Sequence, residues 1–488
     1  MRTGSYIDGA WFQPSSQKTI TNVDPADSAQ VLAEFPAATA DDVQRAVAGA
    51  KRAFQSWRDV PAPERARVIG RATEIARRRV DELAEALCRE EGKVLREARG
   101  EVLKGISNLE FYAGEGFRIA GRTLPAESRD VFTYTIRRPL GVVGLITPWN
   151  FPWAIPCWKV APALVAGNTC VLKPSEVTPW TASLMVEIFE EAGLPAGCLQ
   201  MVVGYGEDVG QAIVDHPDVA AISFTGSTET GLKVYSQAAR RGAKVTCEMG
   251  GKNAVIALAD ADVDAVVAAV MNGAFGSTGQ RCTATSRLLV HDSIANQVTE
   301  ALVEQARALK VGPGMDPTSA MGPIVDEQQL QTVLRYLEVG KGEAKLCTGG
   351  GRPAGLERGY FVEPTVFAET TPAHRVFMEE VFGPVLSIAT VKDLDQALEY
   401  ANAVQYGLTA SVYTRDINQA MRFVEGIETG MIHVNEPTVG GEAQLPFGGI
   451  KKTGVGDREM SSDGLTFFTE QKTVFINFAG GAERNFNR

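Results

Sequence analysis

Gly141-Val142-Val143-Gly144-Leu145-Ile146-Thr147 runs directly into Pro148-Trp149-Asn150-Phe151-Pro152. The first seven residues are a short apolar run, which predicts a strand buried on both faces, as in a parallel sheet. The next five read as a turn. The same kind of run recurs at 169–173, 199–204 and 219–224. Helical patterns lie between these runs, one of them starting near Thr178. Strands that alternate with helices imply a doubly wound α/β sheet.

The pattern changes on either side of this core. Residues 1–22 read as short strands and turns around Gly9-Ala10-Trp11. From Ala40 to about Gly121 the spacing is helical. Asp41-Asp42 supplies an acidic first turn, and Val43, Ala46, Val47 and Ala50 share one face. A second helical stretch is expected over 64–91, with Pro63 at its start. Residues 123–140 alternate like an exposed hairpin arm. A second α/β region is expected over 251–447. The tail from Thr466 to Ile476 is rich in β-branched and aromatic residues. An unpaired strand there would be an open edge, so it needs a partner, and the 123–140 arm is the natural one, within the chain or across a subunit boundary.

Composition narrows the function. The chain has 488 residues, 44% of them hydrophobic, with a net charge of −11. A single core seldom grows past about 250–300 residues, so two or more domains are expected. The negative charge disfavours nonspecific nucleic-acid binding. No apolar run approaches the roughly 20 residues of a membrane span, and the first residues lack the apolar core of a signal peptide. Seven scattered cysteines read as reduced thiols in the cytoplasm. There is no CxxC or HExxH, and only four histidines, so no metal site is expected.

Two segments carry chemistry. In Gly279-Gln280-Arg281-Cys282 a cysteine follows a tight turn, and small residues come after it. A thiolate attacks a carbonyl well. In Glu248-Met249-Gly250-Gly251 a carboxylate precedes two glycines, and such a group can activate water. For a cofactor, the usual GxGxxG is missing. Gly204-Tyr205-Gly206 and its followers come close but have one residue too many. Phe224-Thr225-Gly226-Ser227-Thr228-Glu229-Thr230-Gly231 follows a strand and opens a helix, which turns free N–H groups and the helix dipole towards any ligand there. Ser227 is equally a plain N-cap.

Taken together, Pro148–Pro152, Leu172-Lys173-Pro174-Ser175-Glu176, Glu248–Gly251 and Gly279–Cys282 resemble the signature set of the NAD(P)-dependent aldehyde dehydrogenase superfamily, in order and along nearly the whole chain. The resemblance implies an α/β fold with a Rossmann-type cofactor domain (1–122 and 141–250), an α/β catalytic domain (251–447), and a small β oligomerisation arm with the C-terminal tail (123–140 and 448–488). It implies oxidation of an aldehyde to the acid through a cysteine thiohemiacetal and a thioester, in a cytoplasmic homodimer or homotetramer. Cys282 would be the nucleophile, Asn150 and the Cys282 N–H the oxyanion donors, and Glu248 the base, with Lys173 beside them. NAD, with NADP possible, would lie against Ile146, Thr147, Pro148, Trp149, Lys173, Ser175, Glu176, Gly206, Phe224, Thr225, Gly226, Ser227, Thr230 and Gly250. Glu380 and Phe382 would hold its nicotinamide side. A carboxylate at Glu176 would accept the ribose 2′-hydroxyl and repel a 2′-phosphate, which favours NAD.

The substrate stays open at this point. By resemblance Phe151, Trp158 and Phe447 line the acyl funnel. Arg281 could hold a carboxylate, although adjacent side chains usually point apart. The run through Cys282 and the segment Val434-Asn435-Glu436-Pro437-Thr438 resemble the 2-oxoglutarate semialdehyde dehydrogenase branch. Glu436 and Glu442 near the mouth would suit an amino-aldehyde instead, and Phe151, Trp153 and Trp158 an aromatic one. A cysteine hydrolase or thioesterase without redox chemistry is the competing class. It would want a histidine base, and none of the four histidines sits in such a motif.

Overall fold

The structure, a computed structural model, describes residues 2–14 and 16–479; the last residues of the predicted tail, 480–488, lie outside the described residues. An eight-stranded sheet forms the first layer. Its five central strands are parallel and run in the spatial order Leu199–Met201, Thr169–Lys173, Val142–Ile146, Val219–Thr225, Lys244–Glu248. In chain order that is 3-2-1-4-5, the doubly wound arrangement with its switch point between the first and fourth strands. All five residues of Val142–Ile146 are buried, as an unbroken apolar run requires.

A seven-stranded sheet forms the second layer, parallel except at one edge. Asn253–Ala257 sits inside it, between Thr285–His291 and Thr409–Tyr413. Only residues 249–252 join this strand to the end of Lys244–Glu248. The carboxyl ends of the first sheet are therefore tied directly to the amino ends of the second, and the site lies in that seam.

Helix Ala154–Ala166 is buried at every position and packs between the first sheet and helix Leu95–Glu115. The expected helix over 64–91 is two helices, Ala62–Arg78 and Val80–Glu91. They break at Arg79, whose side chain is drawn to Glu82 and Glu187. The hairpin Thr19–Asp24 with Asp27–Pro36 extends the β structure beyond the residue-22 limit read from sequence.

The tail strand Thr469–Asn477 pairs antiparallel with Val131–Pro139 along its whole length, within one chain. Residues 448–460 behave differently from the arm with which the sequence grouped them. Gly454–Val455 adds to the first sheet against Cys247 and Glu248, and Met249 N–H bonds Thr453 at 2.7 Å. The edge strand carrying Glu248 would otherwise be unpaired, and this return closes it. Among the described residues no helix is long and apolar enough to cross a membrane, and no group of three or more His, Cys, Asp or Glu side chains could hold a metal ion.

Candidate active site

Strand register builds one wall of the site. Ile146 pairs with Lys173 on one side and with Phe224 on the other, while Thr225 pairs with Glu248. Four adjacent strands thus end on one line. The crevice opens at the switch point, between the turn Thr147-Pro148-Trp149-Asn150 and the turn Gly226-Ser227. Gly226 N–H bonds the Glu248 carbonyl at 3.1 Å, and Thr147 N–H bonds that of Lys173 at 3.1 Å. Ser227 caps helix Thr228–Arg240 by accepting from Thr230 N–H at 3.3 Å. The Lys173 ammonium pairs with Glu176 at 2.7 Å, and Ser175 Oγ accepts from Val177 N–H at 3.2 Å.

Two buried hydroxyls at the strand ends, Thr147 Oγ1 and Thr225 Oγ1, have no hydrogen-bond partner. A buried polar atom without a partner is costly, and a polar ligand in the crevice would relieve it. These hydroxyls, the capped helix end and the Lys173–Glu176 pair fit a dinucleotide. Gly206 is exposed and opens the short π-helical segment Gly206–Gly210 that follows Leu199–Met201. On the other side of the crevice Glu380 Oε1 accepts from Gly251 N–H at 2.8 Å. Its other oxygen fills the space a Cβ on Gly250 would need. Burial raises the Glu380 carboxyl to about 7, opposed by that N–H and by Lys252. Phe382, in the left-handed region at φ 56°, meets Trp149 edge to face at 5.4 Å.

Cys282, the expected nucleophile, follows a strained loop. Ser277, Thr278 and Gly279 all have positive φ, at 48°, 56° and 67°. Strain of this kind persists only when the surroundings fix it, and here they do. Gln280 Oε1 accepts from Val325 N–H at 3.0 Å. Asn253 Nδ2 donates to the Cys282 carbonyl at 2.7 Å and to that of Ala284 at 2.8 Å. Thr438 Oγ1 donates to the Thr283 carbonyl at 3.0 Å. Asn150 Nδ2 reaches the Gln280 carbonyl at 3.1 Å, which places its amide beside Cys282. Behind it, the buried Lys93 ammonium donates to the Asn150 carbonyl at 2.8 Å and pairs with Glu101 at 2.6 Å.

Cys282 is partly buried and unpaired, and burial pushes its thiol up to about 12. The Glu248 charge adds to this rise, while Lys104 and the Thr283 N–H oppose it. Burial also holds the Glu248 carboxyl well above the ordinary carboxylate range, and the charge of Glu459 raises it further. Glu248 Oε2 is buried without a hydrogen-bond partner. Glu459 itself is held by Lys159, by Ser223 at 3.1 Å and by Trp158 Nε1 at 2.8 Å.

Trp158 and Phe447 belong to one apolar cluster, against which Phe151 and Cys282 pack. Trp158 and Phe447 pack together at 5.7 Å, and Phe151 lies against the Lys93 ammonium at 4.1 Å. Arg281 turns away from its neighbour. Its Nε donates to Ser277 Oγ at 3.0 Å and its Nη2 pairs with Glu97 at 3.5 Å. Among the described residues no histidine is hydrogen-bonded to Cys282. Sequence reasoning missed Lys93, Glu101, Asn253, Lys159 and Glu459. One signal was available: Lys159 is a lone charge within the apolar stretch 154–166.

This arrangement can add a thiol to a carbonyl, hold the resulting oxyanion, and later activate water. Comparison with known proteins agrees. Residues 11–474 match the aldehyde dehydrogenase family. The chain is 42% identical to the alpha-ketoglutaric semialdehyde dehydrogenase of Bacillus subtilis, covering 97% of each chain. It is 43% identical to the 2,5-dioxopentanoate dehydrogenase of Saccharolobus solfataricus, covering 97% of this chain and 99% of that one. The crystal structure of betaine aldehyde dehydrogenase from Staphylococcus aureus with NAD+ superposes with a TM-score of 0.96 at 32% identity, covering 100% of this chain and 97% of that one.

Proposed function

The chain belongs to the aldehyde dehydrogenase family, and we propose that it oxidises an aldehyde bearing a distal carboxylate, 2-oxoglutarate semialdehyde first, with NAD preferred over NADP. The observation that carries the chemistry is the convergence of Cys282, the Asn150 amide and the buried Glu248 carboxyl in one seam. The names of the relatives from Bacillus and Saccharolobus support the substrate. So does a malonate-semialdehyde dehydrogenase of Geobacillus thermodenitrificans, 40% identical, because all three names denote aldehydes with a carboxylate.

The residues divide the work as follows. Cys282 Sγ gives its proton to the Glu248 carboxylate, which passes it on to solvent, and bonds to the aldehyde carbon, giving a thiohemiacetal. Its oxyanion lies between the Asn150 amide and the Cys282 N–H, which has no other hydrogen-bond partner among the described residues. Lys93 and Glu101 fix the Asn150 backbone, so the donor is in place before reaction. The bound dinucleotide, held by the residues around the switch point, supplies the acceptor for the hydride that leaves the same carbon. Glu248 then takes a proton from water, which attacks the thioester and releases the acid and the free thiol. Glu176, beside Lys173, disfavours a 2′-phosphate and supports NAD.

The arm supports self-association as a homodimer or homotetramer, and the seven free cysteines suit the cytoplasm. Leu124, Phe132, Ile476 and Phe478 all expose large apolar surface along it. The test of the substrate is NADH formation across an aldehyde panel: dicarboxylic semialdehydes, betaine aldehyde, benzaldehyde and an aliphatic series. Highest kcat/KM for the semialdehydes supports the reading. Highest kcat/KM for the cationic or aromatic aldehyde overturns the substrate while leaving the reaction.

A further inference from the structure

The cations around the nucleophile are not equivalent. Lys93 is satisfied by Glu101 and the Asn150 carbonyl, and Lys159 by Ser223 and Glu459. Arg281 is held by Ser277 and Glu97, and Lys252 donates to the Val376 carbonyl. Lys104, on helix Leu95–Glu115, is the exception: among the described residues its ammonium has neither an ion-pair nor a hydrogen-bond partner. It is partly buried, and burial lowers its pKa, with the charges of Cys282 and Glu101 opposing.

Its setting is that of a receptor. Nζ stands 5.5 Å from the centroid of the Trp158 ring, which packs on Phe447. On the other side is Gly441, where an added Cβ would approach Nζ to 3.6 Å. The wall there has no side chain, and neither does Gly440 beside it. Lys104 is also the cation whose charge stabilises the Cys282 thiolate. An ammonium drawn out of water without a counter-ion is costly, and an anion entering with the substrate would relieve that cost.

Building on the semialdehyde reading above, we propose that Lys104 receives the distal carboxylate of the substrate while Cys282 attacks the aldehyde at its other end. A lysine serves as a point charge on a flexible stem and sets no bidentate geometry. It therefore accepts dicarboxylic semialdehydes of differing chain length. Arg281, named for this role from its position beside Cys282, is already engaged elsewhere.

The test measures kcat/KM with NAD for succinate semialdehyde, 2-oxoglutarate semialdehyde and a chain-matched neutral aldehyde, in wild type, Lys104→Met, Lys104→Arg and Lys104→Glu. The ratio of acidic to neutral substrate should fall about 10- to 100-fold in Lys104→Met, mainly through KM. It should recover in Lys104→Arg and fall further in Lys104→Glu. An unchanged ratio in Lys104→Met overturns the assignment. So does a loss shared by both substrates with a shifted pH profile, because Lys104 would then act only on the thiol. If the wild type itself shows no preference for acidic substrates, the semialdehyde reading has failed, and that result is distinct from either of these.

Discussion

The two walls of the site are made in opposite ways. The cofactor wall is the regular end of a sheet: Ile146, Lys173, Thr225 and Glu248 come into line because parallel strands in register end together. The nucleophile wall is an irregular loop of three left-handed residues, and side-chain hydrogen bonds from distant elements hold it in shape. The first wall is a by-product of the fold. The second exists only because Asn253, Thr438 and Val325 are where they are. Binding and the proposed base rely on regular structure, whereas the cysteine relies on clamps.

Removing the proposed base, which stands at the end of the regular wall, should have the largest effect. Glu248→Gln is expected to lower steady-state turnover about 10²- to 10⁴-fold while a first-turnover burst of NADH survives in stopped flow. Wild-type turnover in this variant would remove Glu248 as the base. Asn253→Ala releases the Cys282 carbonyl and that of Ala284, two residues on. It should cut kcat about 10- to 100-fold, with NAD affinity, read by fluorescence titration, nearly unchanged. An equal loss of NAD affinity would show that the two walls are not independent.

A change on the cofactor wall should act the other way. Glu176→Gln is expected to shift the NADP/NAD ratio of kcat/KM upward about 10-fold, since one charge opposite a phosphate is removed. An unchanged ratio counts against that carboxylate facing the ribose.

The smallest effect is on stability. Burial raises Glu380 to about 7, Glu90 to about 7 and Glu91 to about 8. Each binds its proton more tightly folded than unfolded, where glutamate titrates near ~4.3. The folded state therefore holds more protons above that pH, and the stabilisation is lost as pH rises from about 4 through about 8. Glu380→Gln should make the decline of Tm across that window slightly shallower in the cofactor-free protein. A steeper decline would contradict the direction given for this carboxyl.

Some elements announce themselves in the chain. Apolar runs too short for helices predict the parallel strands, and a glycine-led turn before a cysteine marks the proposed nucleophile. Thr469–Asn477 reads as a strand in need of a partner, and Val131–Pro139 is that partner. The break at Arg79 was hidden because the apolar spacing continues through it, while Glu82 and Glu187 are what draw its side chain. Lys104 was hidden for a related reason. A lysine on a helix is ordinarily solvated, and nothing local tells that its tip ends beside Trp158 and Gly441.

By itself the sequence determined the alternation of strands and helices, the family to which the chain belongs, and which residues we propose as nucleophile, base and oxyanion donor. Periodicity and short motifs are local properties, so one chain displays them. The tertiary structure alone decided which charges are left without partners and how tightly protons are held. Glu459, more than 200 positions away in the chain, raises Glu248, and Lys159 and Glu459 meet across 300 residues. Burial and pairing are sums over neighbours, and those neighbours are brought together only when the chain folds.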